Sequence, residues 1–464
     1  MFKPEIFQNR RNLLKKIINN GVIVVPGNID VSFNYQANTY RFRQDSNFLY
    51  FFGLDFSDLA GIIDIDENKE IIFGNDMDIE DIIWMGEQPH ITELAIKAGI
   101  NKTLPFHKLS GYISDAVSKG RTIHYPPPYR AETYSLIGEL TGISNQQIKD
   151  KASIPLIKAI VELRSRKEPC EVEEIEKMVN VAREMHITGM KMAKPGIRER
   201  EIAGIIEGIC LSAGGCLSFS TICSMHGEIL HNPYQTGQLA EDKLLLIDAG
   251  AESDLHYASD ITRTTPVGGK FSQKQKDVYE IVLAANMNTI EKARVGIPYL
   301  DIHLEAAEII TEGLKNLNLM KGNVKEAVAK GAHALFFPHG LGHMLGLDAH
   351  DMESLGENFV GYTQEITRSN QFGLAYLRLA RKLEPGFVIT DEPGIYFIPA
   401  LIDKWKAEKK FMEFINYHEV EKYRNFGGIR IEDDLLITES GCNIIGRVIP
   451  KTVNEIENVV AAAI

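Results

Sequence analysis

Between His339 and His350 this 464-residue chain places three histidines, His339, His343 and His350, in a run that reads Phe337-Pro-His-Gly-Leu-Gly-His-Met-Leu-Gly-Leu-Asp-Ala-His-Asp351. Its glycines let the backbone fold closely around those imidazoles. The spacing is not His-Glu-x-x-His, so the helical zinc-protease arrangement is excluded. Taken alone, the run reads equally well as histidines that fix a turn by hydrogen bonds. Four acids stand elsewhere at the ends of apolar strands. Asp248 closes Lys243-Leu-Leu-Leu-Ile-Asp248, Asp260 precedes the β-branched Ile261-Thr-Arg-Thr-Thr265, Glu392 closes Val388-Ile-Thr-Asp-Glu392 before a Pro-Gly turn, and Glu432 lies in Gly427-Gly-Ile-Arg-Ile-Glu-Asp-Asp434. Strand alternation puts Arg430, Glu432 and Asp434 on one face.

Any one of these acids could be a turn cap or a surface partner. Together they are more informative, because a carboxylate inside a protein costs several kcal/mol unless it is paired or bound to a cation. Four carboxylates and one imidazole, with no cysteine, form a hard donor set whose four negative charges balance two divalent cations. Two such ions about 3.5–4 Å apart activate water near neutral pH, polarise a carbonyl and stabilise the oxyanion that follows. The chemistry indicated is metal-assisted hydrolysis.

The elements that must position these groups follow from apolar periodicity. Over the first 150 or so residues strands and helices alternate: a helix over Arg10–Asn20, a buried strand at Gly21–Pro26, and further strands at Phe48–Phe52, Leu59–Ile65 and Glu70–Phe73 of one α/β sheet. A helical stretch at Ile154–Arg166 and the charged run after it mark a boundary, giving units 1–165 and 166–464. Beyond it, helices from Glu171 and over Arg200–Ala213 are echoed by Val278–Arg294 and Ile302–Leu314, with Gly296-Ile297 matching Gly196-Ile197. The echo predicts two related halves with a site between them. The strand ending at Asp248 and the segment around Asp260 read as a hairpin carrying two acids.

Composition limits the partners. With 50 Lys+Arg against 63 Asp+Glu the net charge is −13, and 44% of residues are hydrophobic, as in a globular chain with ample core. Nucleic acid and anionic membrane both call for a basic footprint, so neither is expected as a partner. No run reaches the roughly 18 apolar residues of a spanning helix, and the charged N-terminus is unlike a signal peptide, so a cytoplasmic location is expected. The five cysteines are sparse and contain no Cys-x-x-Cys pair, which predicts free thiols.

The motifs Asp248-Ala-Gly-Ala-Glu, Ser259-Asp260-Ile-Thr-Arg-Thr, His339-Gly-Leu-Gly-His343, Asp391-Glu392-Pro-Gly-Ile-Tyr and Gly428-Ile-Arg-Ile-Glu432-Asp-Asp occur in the order found in the pita-bread metallopeptidases, which the chain resembles. That group contains methionine aminopeptidase, aminopeptidase P and prolidase. The resemblance implies an α/β (α+β) architecture: a pita-bread catalytic domain behind an N-terminal α/β domain. It also implies that Asp248, Asp260, His343, Glu392 and Glu432 ligate two divalent ions of manganese type. Asp260 and Glu432 would bridge the ions, and Glu392 would also shuttle the proton of the attacking water. His231, His339 and His350 fall where the family places substrate-binding or transition-state-stabilising groups, or they orient a ligand by hydrogen bonding. Arg430 would hold His231 or a carboxylate.

The N-terminal domain and Arg41-Phe-Arg-Gln-Asp-Ser-Asn-Phe-Leu-Tyr-Phe-Phe-Gly53 resemble aminopeptidase P and prolidase rather than methionine aminopeptidase. Two insertions, around Tyr376–Pro385 and over Ile398–Phe426, lean toward prolidase. The resemblance then makes Arg378 the reader of a C-terminal proline carboxylate, and Trp84 a residue able to reach a neighbouring subunit's site in a homodimer or higher homo-oligomer. A surface arginine and a structural tryptophan are the plainer alternatives. The implied activity is hydrolysis of the Xaa-Pro bond, of dipeptides foremost and otherwise of longer peptides. A metal-free pita-bread module that binds protein is the alternative of another class. Asp391 stands where the family has an apolar residue and is expected to add charge beside the metals.

Overall fold

The structure, a computed structural model, describes residues 1–462. The chain divides into two compact units: Met1–Arg164 together with Met352–Phe359, and Ser165–Asp351 together with the chain from Val360 onward.

In the first unit Pro4–Ile18 is a helix with proline in its first turn and Asn19 in the left-handed conformation at its end. A mixed five-stranded sheet has the order Thr103–Leu104, Lys69–Phe73, Ala60–Asp64, Val22–Pro26, Ile123–His124. Phe48–Phe52 is not a strand. It lies in the helix Ser46–Phe52, capped by the Asp45 side chain at one end and left-handed Gly53 at the other, with every side chain buried. An element that is apolar all round carries no face periodicity, so its aromatic content read as β. Its end is also held from outside: Arg10 and Arg11 donate to the carbonyl oxygens of Tyr50 and Phe51, carbonyls that a helix terminus leaves without partners.

The second unit is built on two helix pairs. Pro169–Met192 and Glu199–Ser212 form the first, Gln273–Lys292 and Tyr299–Asn316 the second. Each pair is followed by short antiparallel strands. Leu244–Asp248 lies between Thr262–Pro266 and Ile222–Ser224, and Asp433–Thr438 lies between Val388–Asp391 and Gly441–Ile444. Gly394–Tyr396 pairs separately with Gly428–Arg430. Ile202, Ile206, Leu245, Ile247 and Cys223 meet in the core beneath the first strands. Cys223 and Cys442 are free thiols, and no helix among the described residues is long and apolar enough to cross a membrane.

Candidate metal centre

The strand after Leu244 is buried on both sides and ends at Asp248, where the chain turns through Ala249-Gly250 and returns along Thr262–Pro266. Gly250 is required there, since a Cβ would stand 1.8 Å from the Ser259 carbonyl oxygen. The return brings Asp260 to the same end of the sheet as Asp248. In the second half Val388–Asp391 ends at Glu392, and the chain that leaves Arg430 breaks out of strand at Ile431 and Glu432 before resuming at Asp433. The break leaves the alternation intact. Arg430, Glu432 and Asp434 bond toward the Asp248–Thr262 side, whereas Asp433 turns away to Arg263 and Lys451.

Asp260, His343 and Glu432 each offer a ligand atom within 4.8 Å of the others, and all three are buried. His343 Nε2 lies 3.6 Å from Asp260 Oδ2 and 3.6 Å from Glu392 Oε1. Its other nitrogen, Nδ1, donates to the Met344 carbonyl at 3.0 Å. That bond places the ring proton on Nδ1 and leaves the Nε2 lone pair bare between two carboxyl groups, which is the presentation a metal ligand needs. Asp248 accepts from Arg430 Nη2 at 2.5 Å through Oδ2, while its buried Oδ1 has no hydrogen-bond partner. Burial, reinforced by Glu432 and Asp248, raises the Asp260 pKa well above the carboxylate range, and burial with Glu392 and Asp248 does the same to Glu432. Burial lifts Glu392 to about 7, with Arg430 opposing and Asp248 assisting. Burial, with His350 nearby, depresses His343 well below the usual imidazole value. A cluster of acids that resists ionising next to a neutral imidazole with a free lone pair matches the donor set of hard divalent cations. The residues present therefore fit the group.

Arg430 organises one wall. Its Nε donates to Thr262 Oγ1 at 3.0 Å and its Nη1 to the Tyr396 hydroxyl at 3.0 Å, besides the bond to Asp248. Thr262 passes its own proton to Glu432 Oε2 at 2.7 Å, and Tyr396 lies 2.8 Å from His339 Nε2. His339 Nδ1 donates to the Gly340 carbonyl at 2.7 Å, so its Nε2 accepts from Tyr396. Burial, with Arg430 nearby, holds His339 down to about 3, which keeps it neutral. The His350 ring packs edge-on against His343 with centroids 4.4 Å apart. His231 sits on the exposed rim, where partial burial and then the charges of Arg430 and Arg378 lower its pKa. Arg378, partly buried, also acts on His343 and Glu392. Trp84 belongs to the N-terminal unit, on a short helix with no buried residue, and is itself 84% exposed.

Asp391 does not add charge beside the ligands. Its side chain points to the opposite face from Glu392, where Asn286 Nδ2 and Thr289 Oγ1 donate to Oδ2 at 2.9 and 3.0 Å. Alternation along the strand is the reason. Sequence reasoning passed over Thr262 and Tyr396, and it grouped Asp434 with Arg430 and Glu432 without its partner: Asp434 Oδ2 accepts from the Asp260 backbone N–H at 3.0 Å. It also missed His186, which donates to the Ala249 carbonyl at 3.1 Å from within the Pro169–Met192 helix. Thr262, Tyr396 and Asp434 lie inside the quoted motifs, and that adjacency was the signal available.

The model of metallopeptidase family M24 matches residues 173–439, and that of the aminopeptidase P N-terminal domain matches residues 6–124. The chain belongs to metallopeptidase family M24. It combines a mixed helix and strand catalytic unit of pita-bread fold with an N-terminal domain of the aminopeptidase P type. It is 31% identical to the Xaa-Pro dipeptidase of Homo sapiens, over 97% of this chain and 92% of that protein. It is also 31% identical to a probable Xaa-Pro aminopeptidase of Uncinocarpus reesii, over 95% and 90%. Among solved structures, aminopeptidase P from E. coli with the inhibitor Pro-Leu superposes with a TM-score of 0.81 at 28% identity, covering 100% of this chain and 99% of that one. A zinc-substituted E. coli aminopeptidase P in complex with product gives 0.82 at 27% identity, with the same coverage.

Proposed function

We propose that this M24 metallopeptidase hydrolyses the Xaa-Pro bond of dipeptides, using two divalent ions of manganese type. The observation that carries the reading is the bare His343 Nε2 set between Asp260 and Glu392, with Glu432 completing the group. Asp248, Asp260, His343, Glu392 and Glu432 would hold the ions, which when bound supply Lewis-acid activation of water and of the scissile carbonyl.

The chain's own groups have separate tasks. Glu392, whose Oε1 faces His343, would take and return a proton at Oε2, the oxygen on the His339 side. Arg430 pairs with Asp248 and holds it in place. His350, rim-placed His231 and His339, the last held neutral by burial, offer polar contacts to the peptide. The Arg378 guanidinium suits the planar carboxylate of a C-terminal proline. A proline imide has no N–H, so its recognition must come from pocket shape and from that carboxylate rather than from a backbone hydrogen bond. A second reading, cleavage of longer peptides, is favoured by the relative named as a probable Xaa-Pro aminopeptidase. A homo-oligomer that uses the exposed Trp84 is part of the proposal, and sedimentation of wild type against Trp84→Ala tests it.

The decisive experiment measures metal content and the hydrolysis of Ala-Pro and Ala-Pro-Gly. Transition metal at one ion or more per chain, activity that rises with Mn²⁺, and faster cleavage of the dipeptide are expected. Fewer than one ion per chain and no gain on adding Mn²⁺ would overturn the catalytic reading. Equal or faster cleavage of the tripeptide would overturn dipeptide selectivity. Arg378→Ala should raise KM for Ala-Pro about tenfold or more, the equivalent of one lost charge-assisted hydrogen bond, and change the tripeptide less.

A further inference from the structure

Glu199 opens the Glu199–Ser212 helix and is 1% exposed, yet its carboxyl bonds almost wholly outside that helix. Oε1 accepts from the Met225 backbone N–H at 2.8 Å and from Ser224 Oγ at 3.2 Å, and Oε2 accepts from the Gly237 N–H at 2.7 Å. Ser224 Oγ in turn accepts from Asn232 Nδ2 at 3.0 Å and from the His226 N–H at 3.0 Å. One carboxyl thus joins the two ends of the stretch from Met225 to Gly237, and a relay through Ser224 reaches Asn232, the residue next to His231. The other side of the stretch rests on the strand that leads to Arg430. A Cβ on Gly227 would stand 2.6 Å from the Gly428 carbonyl oxygen, and one on Gly428 would stand 2.5 Å from that of Gly227. The loop is therefore seated against the Arg430 strand by two glycines and closed at its neck by Glu199.

We propose that Glu199 is the positioning residue of His231: it ties the neck of the Met225–Gly237 loop so that the imidazole at its tip is presented to the peptide beside Arg430 and Asp248. This rests on the proposed peptidase reading, in which His231 touches substrate. Glu199 itself touches neither substrate nor ligand. Replacing one oxygen by an amide nitrogen sets a donor against a backbone N–H and leaves that N–H unbonded inside the protein. A methyl on Gly237 acts on the same tie from the other side, because it would lie 2.7 Å from the Glu199 carboxyl.

The test uses the full-length chain as wild type, Glu199→Gln, Gly237→Ala, His231→Ala and the Glu199→Gln/His231→Ala double variant. Hydrogen exchange of peptides spanning residues 225–237 is measured beside kcat and KM on Ala-Pro with Mn²⁺. Faster exchange confined to that stretch is expected in Glu199→Gln and Gly237→Ala, with kcat/KM lowered by up to about 10²-fold, as for a misplaced substrate-contacting group. Combining Glu199→Gln with His231→Ala should add less than about threefold, since the imidazole through which Glu199 acts is already gone. If Glu199→Gln does not fold, Gly237→Ala carries both readouts. Exchange at the wild-type rate in the tied stretch, a double variant that loses the product of both single effects, or a silent His231→Ala would each overturn the inference. A wild type that cleaves no Xaa-Pro bond would instead remove the peptidase reading, and exchange alone would still report whether Glu199 holds the loop.

Discussion

The two halves of the catalytic unit enter their strands by the same step and then part company. Gly196 N–H bonds the Leu239 carbonyl and Leu239 N–H bonds that of Ile197; in the second half Gly296, Leu383 and Ile297 repeat the pattern. Both glycines are at positive φ, 91° and 84°. Asp248 stands nine residues beyond Leu239 and Glu392 nine beyond Leu383, each at the end of a buried strand. What differs is the cargo of the connections. The first half supplies His231 on a tied loop and the acid Asp260. The second supplies every other imidazole of the site, Arg378, and the guanidinium of Arg430, which neutralises the first half's Asp248. The repeated frame places acids, and the unrepeated segments supply the groups that discriminate among peptides.

The largest effects should come from cutting one acid in each half. Asp260→Asn and Glu432→Gln should each lower kcat by about 10³-fold or more, several kcal/mol of lost Lewis-acid stabilisation, with reduced metal content by elemental analysis. Equal losses would show that both halves serve one centre, whereas a large loss from only one would break the pairing. Next comes the link between the halves. Arg430→Gln leaves buried Asp248 without its cation and should cost about 3–5 kcal/mol in denaturant unfolding of the metal-stripped chain.

Stripping the metal should also give a pH signature. Glu392 is raised to about 7, and Asp260 and Glu432 are raised as well, so above the ordinary carboxylate range the folded chain holds protons that the unfolded chain has lost. The stability this contributes is fully present below the unfolded pKa values and is lost as pH rises toward 7, so melting of the stripped protein should drop across that window. Adding Mn²⁺ at about a thousandfold over its Kd should restore about 4 kcal/mol and remove the slope.

The smallest effect sharpens the comparison on the back of the strands. Ile247 and Asp391 each precede the site acid of their half, and both face the helix behind. Ile247 lies in the apolar core, whereas Asp391 bonds Asn286 and Thr289. Asp391→Asn should therefore change kcat by less than about threefold, under ~0.7 kcal/mol, in steady-state assays. A large loss would mean that the face reached by Asp391 communicates with the ligands.

The strand-end acids were legible because a carboxyl group after an apolar run is costly and stands out. The arginine that compensates Asp248 was also visible, but its partner was not, since choosing between His231 and a carboxylate depends on a fold that brings positions 248 and 430 together. Phe48–Phe52 went wrong for the opposite reason: a fully buried short helix shows no polar face to count. Thr262 and Tyr396 escaped because a hydroxyl says nothing about its role until its neighbours are known. Glu199 escaped because its partners are backbone N–H groups of a distant loop, which no residue type announces.

Residues 352–359 fold with the N-terminal unit although they begin two positions after His350. The chain therefore passes between its units three times, and no single cut separates them. A gene fragment starting at Ser165 would express the catalytic half with a foreign octapeptide spliced into it, its native packing surface deleted, so excising this enzyme's peptidase part demands an internal deletion as well as a new start codon.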